Sequence, residues 1–169
     1  MRELAVLLEE MISAGVIGNY ALFGAIAQMR YTEPVATLDV DVPVAVPTPD
    51  RIDSLAGIYD FCAARGFRAE GESIRVGAWP VQFIPAFSPL TREAMERAVT
   101  TDFEGADLRV VTADYLATIA LGAGRPKDHL RILALLESGS VDLAALERLA
   151  ARHGLADTWL RFRTRFLDV

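Results

Sequence analysis

The chain has 169 residues, of which 52% are hydrophobic, so it is long enough to bury one core and short for two domains. Its formal net charge of -6 argues against broad, non-specific binding to nucleic acid, because such binding comes mostly from neutralising phosphates. The single cysteine, Cys62, excludes an internal disulfide and a metal site built from several cysteines. No stretch approaches the ~18 uninterrupted apolar residues of a membrane-spanning helix, so we expect a cytoplasmic protein with no membrane partner.

The first segments predict a helix, then a strand that turns into a second helix. Residues 2–14 predict an amphipathic helix that ends at Gly15, because their apolar side chains recur at helical spacing. These side chains are Leu4, Leu7, Leu8 and Met11. In "NYALFGAIAQMRY" a short apolar run ends at Gly24 and small residues follow, which is typical of a buried strand that turns tightly into a helix.

The next two segments predict a strand and a crossover helix. Residues 36–46, "ATLDVDVPVAV", predict a strand because apolar side chains alternate strictly along it. Its apolar face consists of Leu38, Val40, Val42, Val44 and Val46. The segment "TPDRIDSLAGIYDFCAARG" predicts a helix that opens near Pro49 and closes on Gly66. Its apolar stripe consists of Ile52, Leu55, Ile58, Tyr59 and Cys62.

The remaining segments predict further strands and then only helices. "ESIRVGAWPVQFIPAF" predicts two strands around a turn at Gly77, "LTREAMERAV" a short helix, and "DFEGADLRVV" another hairpin or strand pair. From Thr112 onward, four helical segments follow one another. The fold class is therefore α/β in the broad sense that includes α+β, with a mixed β-sheet flanked by helices. We expect an α/β core at residues 1–111 and a helical C-terminal extension at residues 112–169, packed together as one compact unit.

Two aspartates in the predicted strand, Asp39 and Asp41, suggest chemistry. Alternate residues of a strand share a face, so these two residues lie about 7 Å apart along the chain. Two carboxylates this close repel each other unless a cation lies between them, and hard oxygen ligands suit Mg²⁺ or Mn²⁺, particularly when substrate phosphates complete the coordination shell. A phosphoryl-transfer site is one interpretation. The other is that both aspartates belong to the solvated face of a half-exposed strand.

The surroundings of the aspartates resemble the DNA polymerase beta-like nucleotidyltransferase superfamily. Members carry a Gly-Gly or Gly-Ser turn that opens a helix, followed by a strand with Asp-x-Asp, and "FGAIAQMRYTEPVATLDVDV" contains each of these pieces. Within the superfamily, "EPVATLDVD" is similar to the Arg-x-Thr-x-Asp-x-Asp motif of the AbiEii-like nucleotidyltransferases. The segment "YLATIALGAGRPKDHLRILALL" resembles the Lys-x-x-x-Gly-Arg-x-Lys-Asp helix pair of the same group. The resemblance covers most of residues 16–137.

The resemblance implies a nucleoside triphosphate substrate and a site around the Asp-x-Asp motif. Asp39 and Asp41 would be catalytic and would hold Mg²⁺ or Mn²⁺ against the substrate phosphates. The turn at Gly24 and Ala25 would let backbone amides approach the triphosphate closely. Thr37, the threonine of the motif, is implied to belong to the nucleotide-binding site.

The helix-pair motif implies three further nucleotide-binding residues: Arg125, Lys127 and Asp128. Arg125 and Lys127 would contact phosphate or fasten the C-terminal helices to the sheet, with Asp128 paired to one of them. A charge cluster at an exposed helix start explains the same three residues without any contact to substrate.

Four positions depart from the family's pattern. Ala25 replaces the second glycine or serine of the turn, while Val35 and Ala120 stand where an arginine and a lysine often lie, so two cationic phosphate partners are missing. In the strand "WPVQFIPAF", Gln82 takes the place of the third carboxylate of active members, which commonly serves as general base and metal ligand. Glutamine cannot accept a proton, but it can position a hydroxyl or ligate a metal weakly. Glu33, Glu70, Glu72 and Glu104 are acids in predicted loops that offer substitutes.

These features favour one function and leave two others open. As an enzyme, the protein would transfer a nucleotide from an NTP to a hydroxyl of RNA or protein. Because AbiEii-like proteins act as toxins of toxin–antitoxin or phage-defence systems, the resemblance also implies a cognate antitoxin, and a homodimer is a further candidate assembly. The first alternative is a catalytically silent relative that binds a nucleotide or a protein partner. The second is an ordinary interaction domain whose aspartates are solvated.

Overall fold

The computed structural model describes residues 1–49 and 51–167 of the chain. Its helices are α1 (Arg2–Ser13), α2 (Gly24–Gln28), α3 (Ala56–Ala64), α4 (Pro89–Glu96), α5 (Ala113–Ala123), α6 (Pro126–Glu137), α7 (Leu143–Arg152) and α8 (Ala156–Phe166). Its strands are β1 (Asn19–Tyr20), β2 (Val40–Ala45), β3 (Arg68–Glu70), β4 (Ser73–Val76), β5 (Trp79–Pro85), β6 (Val99–Asp102) and β7 (Asp107–Val110). Position 50 of the predicted crossover helix and positions 168–169 of the predicted extension lie outside the described residues.

The main sheet has five strands in the order β1-β2-β5-β4-β3. β2 and β5 run parallel, and the other neighbouring pairs are antiparallel. β6 and β7 form a separate antiparallel hairpin, which an isolated bridge between Leu22 and Val110 ties to the segment after β1. The prediction of a mixed sheet flanked by helices is confirmed.

The two faces of the central strands differ in character. The inward face of β2 and β5 is formed by fully or almost fully buried side chains: Val40, Val42, Val44, Val81 and Phe83. α1 buries Leu4, Leu7, Leu8 and Met11 in the same core, as its spacing predicts. Because successive strand residues point to opposite faces, Asp41 and Gln82 lie on the other face, which α5 partly covers. The hydrophobic pattern therefore fixes which face can hold polar chemistry.

The strand predicted over residues 36–46 is shorter than its alternation suggests. β2 begins at Val40, and Leu38 is 88% exposed instead of buried. Thr37 and Asp39 hydrogen-bond locally, with the Thr37 hydroxyl 3.0 Å from the Asp39 carbonyl oxygen, and such side-chain bonds compete with strand pairing. β1 and β5 pair only with positions 40–45. Asp39 therefore precedes the strand and does not stand on its face.

The crossover helix also begins later than predicted. Residues 51–55 form turns instead of helix, with Ser54 N bonded to Arg51 O at 3.1 Å and Ala56 N to Asp53 O at 2.9 Å. Ile52, predicted to belong to the apolar stripe, is fully exposed. Ile58 and Cys62 are buried as predicted. β3 was not predicted, because its three residues are all exposed and show no apolar alternation.

Four helices complete the chain, as predicted. α5 packs against α2, α4, α6, α7 and α8. Gly124, with φ of 65°, ends α5 in the left-handed conformation and lets α6 begin two residues later. This tight connection brings the start of α6 over the polar face of the sheet. None of the helices in the described part of the chain is both long and apolar enough to cross a membrane.

Candidate functional site

A cleft of about 200 Å³ lies between the polar face of the sheet and the C-terminal helices. Its apolar walls come from Pro43 and Ile84 on the sheet and from Leu116, Ile119 and Ala120 on α5. Its polar lining comes from Gly24, Asp41, Arg125, Asp128 and Arg131. The cleft therefore gathers residues from the turn, the Asp-x-Asp segment and the helix-pair motif.

Gly24 and Asp41 are in direct contact where α2 begins. Gly24 has φ of +63°, and a β-carbon built on it would overlap Asp41 Oδ2 and lie 3.3 Å from Asp41 Cγ. The Phe23 amide donates to the Asp41 backbone carbonyl at 3.0 Å, which holds the turn beside β2. Glycine is required here both by its conformation and by the space that the carboxylate fills. Because α2 has only five residues, its dipole contributes little.

Asp41 is a half-buried carboxylate that lacks a hydrogen-bond donor among the residues that the structure describes. Burial is the main cause that raises its pKa, and the nearby charge of Asp39 raises it further. Lys127, Arg131 and Arg125 act in the opposite direction on the pKa of Asp41 but do not outweigh burial. An acid without a partner, held close to a second acid, favours binding of a cation.

Asp39 lies on the exposed segment before β2, and Thr37 fixes its side chain. The Thr37 hydroxyl is 3.3 Å from Asp39 Oδ1 as well as 3.0 Å from the Asp39 carbonyl oxygen. Within residues 1–49 and 51–167, no three acidic, histidine or cysteine side chains converge as a ready-made metal site. Of the two aspartates, Asp41 lines the cleft and Asp39 does not.

Gln82 is the neighbour of Asp41 across the parallel pair of β2 and β5. The position predicted for a third carboxylate therefore stands beside Asp41, and an amide occupies it. Gln82 Nε2 donates to Glu72 Oε2 at 3.4 Å, and the Tyr59 hydroxyl donates to the Glu72 carbonyl oxygen at 3.1 Å. Of the four acids considered as substitutes, Glu72 is the one that contacts Gln82.

Asp128 is fully buried and connects the charged residues of the cleft. Arg125 Nε donates to Asp128 Oδ2 at 2.6 Å, and Arg131 Nη1 donates to Asp128 Oδ1 at 3.1 Å. Burial raises the pKa of Asp128, but hydrogen bonding and the charge of Arg125, with the charge of Arg131, outweigh burial and hold the pKa below its usual range. The interpretation of Asp128 as part of an exposed charge cluster is therefore wrong, because its carboxylate is buried and paired with two guanidinium groups.

Arg131 is the site residue that the sequence did not single out. Its side chain is 12% exposed, and its Nε donates to Gln28 Oε1 at 3.0 Å, linking α6 to α2. Burial lowers the pKa of Arg131, while the charges of Asp128 and Asp41 raise it. The one sequence signal was its position three residues after Asp128 on a helix, where opposite charges meet.

Five of the predicted site residues do not line the cleft: Ala25, Thr37, Asp39, Gln82 and Lys127. Ala25 is the second residue of α2, and Lys127 is exposed in the first turn of α6. A larger cavity of about 1030 Å³ lies between α1 and the β4–β5 turn, and none of the predicted site residues lines it. We place the candidate site in the smaller cleft, because Asp41, which has no described hydrogen-bond donor, lies there together with Arg125 and Arg131.

Comparison with solved structures identifies the fold. The chain is similar to the antibiotic-resistance factor ANT(2'')-Ia in solution, with 13% identity, 95% of this chain and 96% of that chain covered, and a TM-score of 0.54. It is also similar to an antigenic nucleotidyltransferase-like protein from Paracoccidioides brasiliensis, with 13% identity, coverage of 93% and 89%, and a TM-score of 0.55. No family model and no curated protein matches the sequence. The chain therefore has a nucleotidyltransferase-like fold.

Proposed function

We propose that this protein transfers a nucleotide from a nucleoside triphosphate to a hydroxyl group in a reaction that depends on a divalent metal. The observation that carries the proposal is the contact of Asp41 with Gly24 inside a cleft that also holds Arg125 and Arg131. On a nucleotidyltransferase-like fold, Asp41 would bind the metal, the turn at Gly24 would let phosphate approach the backbone, and the two arginines would neutralise charge.

Asp39 and Asp41 would hold Mg²⁺ or Mn²⁺. Carboxylate oxygens are the hard ligands that both ions prefer, and Asp41 fits this role because no described donor occupies its carboxylate. When bound, the ion would neutralise charge on the substrate phosphates. Thr37 would hold the side chain of Asp39 in place, and the amide oxygen of Gln82 would offer a weaker third ligand beside Asp41.

The protein's own groups would position the nucleotide. Gly24 and Ala25 keep the turn free of bulky side chains, so that phosphate can approach the backbone. Arg125 and Lys127 would neutralise phosphate charge from the start of α6. The cleft, at about 200 Å³, is smaller than the ~300–1,000 Å³ of pockets that enclose a whole ligand. Part of the nucleotide would therefore extend over the open sheet face.

The acceptor hydroxyl would be held near Gln82. Glutamine cannot take the proton that the attacking hydroxyl loses, but its amide can orient that hydroxyl. Glu72 contacts Gln82, and its carboxylate would receive the proton. The oxygen of the acceptor would then bond to the α-phosphorus as the bond to pyrophosphate breaks.

A specific observation favours a second function. Gln82 stands directly beside Asp41 in the register of β2 and β5, so an amide takes the place of the acid next to the proposed metal ligand. Ala120, where related proteins often carry a lysine, lines the cleft itself. Both substitutions favour a protein that binds a nucleotide, or a protein partner, without transferring the nucleotide.

We propose RNA or protein as the acceptor, and a toxin–antitoxin or phage-defence role with a cognate antitoxin, on the motifs shared with AbiEii-like proteins. The acceptor and antitoxin proposals are supported by that resemblance alone.

Transfer is tested with labelled nucleotide. The purified protein is incubated with Mn²⁺, bulk cellular RNA or protein, and ATP, CTP, GTP or UTP labelled at either the α- or the γ-phosphate. Nucleotidyl transfer predicts that acceptor gains α-label and no γ-label, and that Asp41→Asn abolishes the gain. Absence of α-label from every acceptor, with nucleotide binding intact, favours the silent alternative.

A further inference from the structure

We propose that two copies of this chain pair through the open edge of β3 and form an antiparallel dimer with one continuous sheet. β3 is the last strand in the order β1-β2-β5-β4-β3, so one of its sides pairs with β4 and the other pairs with no strand of the described residues. Its three residues, Arg68, Ala69 and Glu70, are all exposed. β5 and β4 separate β3 from Asp41 on β2, so the dimer is independent of the proposed nucleotide transfer.

The backbone of Ala69 points away from β4. Glu70 and Ser73 lie opposite each other across a two-residue turn, and the residues that flank such a turn exchange backbone hydrogen bonds. Bonded and non-bonded positions alternate in an antiparallel ladder, so Ala69, opposite Ile74, directs its N–H and its carbonyl toward the open edge. A second copy related by a two-fold axis beside Ala69 would exchange both of these bonds with it.

The side chains of β3 are complementary to their own two-fold copy. When Ala69 of one copy lies opposite Ala69 of the other, the antiparallel register places Arg68 of each copy directly opposite Glu70 of the other. Opposite charges that face each other across two strands stabilise the pair, and a symmetric dimer requires such a self-complementary surface. Sliding one strand by two residues would instead bring two arginines or two glutamates face to face, so the charges also set the register.

Within one copy, both charges of β3 have unused hydrogen-bonding capacity. Arg75 donates from Nε and from Nη2 to the same atom, Glu70 Oε2, at 3.1 Å and 2.7 Å. Among the hydrogen bonds of the described residues, Glu70 Oε1 accepts none and the Arg68 side chain donates none. Arg68 also faces Arg75 in the register of β3 and β4, and like charges in that position are unfavourable. Glu70 of the second copy would bring a carboxylate oxygen to Arg68.

Short length and charge are also means by which proteins protect sheet edges from pairing. A protective charge such as a lysine works because it meets the same charge on a second copy of the chain and repels it. β3 differs from that pattern, because it carries one charge of each sign, in the order that an antiparallel copy of itself neutralises. The charges of β3 therefore favour pairing with itself over protection of the edge.

The dimer should be weak, because three residues of each copy form the strand pair. Interfaces that bury less than ~1,200 Å² are typical of transient complexes. We expect a dissociation constant of roughly 10–100 µM. The cleft at Asp41 stays open in the dimer, so nucleotide binding should not change with protein concentration.

Analytical ultracentrifugation over a series of protein concentrations tests the interface. The samples are the wild type, Arg68→Glu, Glu70→Arg and the control Arg161→Glu, whose position is exposed on α8. Arg68→Glu and Glu70→Arg each place like charges opposite each other at two symmetric positions of the dimer. Each variant alone should therefore dimerise at least about tenfold more weakly than the wild type. Arg161→Glu should match the wild type.

An equimolar mixture of Arg68→Glu and Glu70→Arg is the most specific sample. In the mixed dimer, both facing pairs again consist of a glutamate and an arginine, so the mixture should regain the dimer that neither variant forms alone. Ala69→Pro removes the N–H that points to the open edge and keeps every charge. It should abolish the dimer of the wild type, and it should also abolish the mixed dimer when both variants carry it.

Melting curves establish that each variant is folded, and the charge variants suffice if Ala69→Pro is not. A wild type that stays monomeric at about ten times the expected dissociation constant would overturn the interface. A dimer of unchanged affinity in folded Ala69→Pro or Arg68→Glu would overturn it as well, because another surface would then hold the two copies together. A mixture that stays monomeric would overturn the pairing of Arg68 with Glu70. None of these results bears on the proposed nucleotide site.

Discussion

The carboxylate of Asp41 occupies the space that a side chain on Gly24 would need. Gly24 also adopts a left-handed conformation with φ of +63°. The variant Gly24→Ala combines a steric overlap with an unfavourable backbone conformation, so we expect it to lower the free energy of unfolding by roughly 2–3 kcal/mol. Urea denaturation measures this loss. Nucleotide binding should weaken with it, because Asp41 must move.

Gly57→Ala is the matched control for Gly24→Ala. Gly57 lies in α3, and a β-carbon added there meets nothing within 4 Å. Alanine is the better helix former by about 0.5–1 kcal/mol, so this variant should be as stable as the wild type or more stable. A Gly24→Ala protein as stable as Gly57→Ala would contradict the contact between the turn and Asp41.

The raised pKa of Asp41 predicts that the negative charge of its carboxylate lowers the free energy of unfolding of the metal-free protein. Because the folded state holds its proton more tightly than the unfolded state, ionisation destabilises the metal-free protein. The cost is absent below the ordinary aspartate pKa of about 3.9, develops as the pH rises, and is fully present above the raised pKa. With a chelator at pH 7, Asp41→Asn should therefore be more stable than the wild type by about 0.5–1 kcal/mol.

Denaturation across the pH range checks the sign of this effect. The stability gap between Asp41→Asn and the wild type should close on acidification and should reverse when Mn²⁺ is added at neutral pH, because the wild type alone gains binding energy. A metal-free Asp41→Asn protein that is less stable than the wild type at pH 7 would indicate that Asp41 is a structural acceptor.

Asp128 has the opposite electrostatic character to Asp41. The arginines around it hold its pKa low, so it stabilises the fold above the ordinary aspartate pKa, and this contribution is lost as the pH falls through its lowered pKa. Asp128→Asn leaves Arg131 without its counter-charge and should cost roughly 3 kcal/mol at pH 7. The control Asp142→Asn keeps an N-cap on α7 and should be nearly neutral. Equal stability of the two variants in urea would contradict a stabilising role for the buried Asp128 carboxylate and its pairing with Arg125 and Arg131.

Gln82→Glu restores an acid beside Asp41 without changing the length of the side chain. A third negative oxygen donor should tighten Mn²⁺ binding by about tenfold, or roughly 1.4 kcal/mol, and should increase any nucleotide transfer. Titration of Mn²⁺ into the chelator-treated protein measures the change. Unchanged Mn²⁺ affinity would show that position 82 does not face the metal.

The sequence predicted those elements that are set by local patterns. The helical spacing of α1 and the alternation of Val40, Val42 and Val44 correspond directly to burial on one face. The predicted limits of the strand and of the helix were wrong where local hydrogen bonds outweigh the spacing of apolar residues. Leu38 continues the alternation but lies between Thr37 and Asp39, which hydrogen-bond to each other, and Ile52 continues a helical stripe through residues that form turns.

The candidate site was predicted from spacing within one short segment and, for Gln82, Arg125 and Asp128, from the family resemblance. Asp39, Asp41 and Gly24 stand out through spacing within one short segment. Arg131 and Glu72 do not, because their places depend on how α6 and the β3–β4 hairpin pack against the central strands. Contacts between distant segments follow from the tertiary fold, and periodicity within a segment does not report them.

The central claim is a metal-dependent nucleotide site at Asp41, and calorimetric titration of NTPs with and without Mn²⁺ tests it most directly. We expect at least one NTP to bind the wild type only in the presence of Mn²⁺, and binding to be lost in Asp39→Ala and Asp41→Ala variants that remain folded. NTP binding that needs no metal and survives both substitutions, or no binding of any NTP by the folded wild type, would contradict the account.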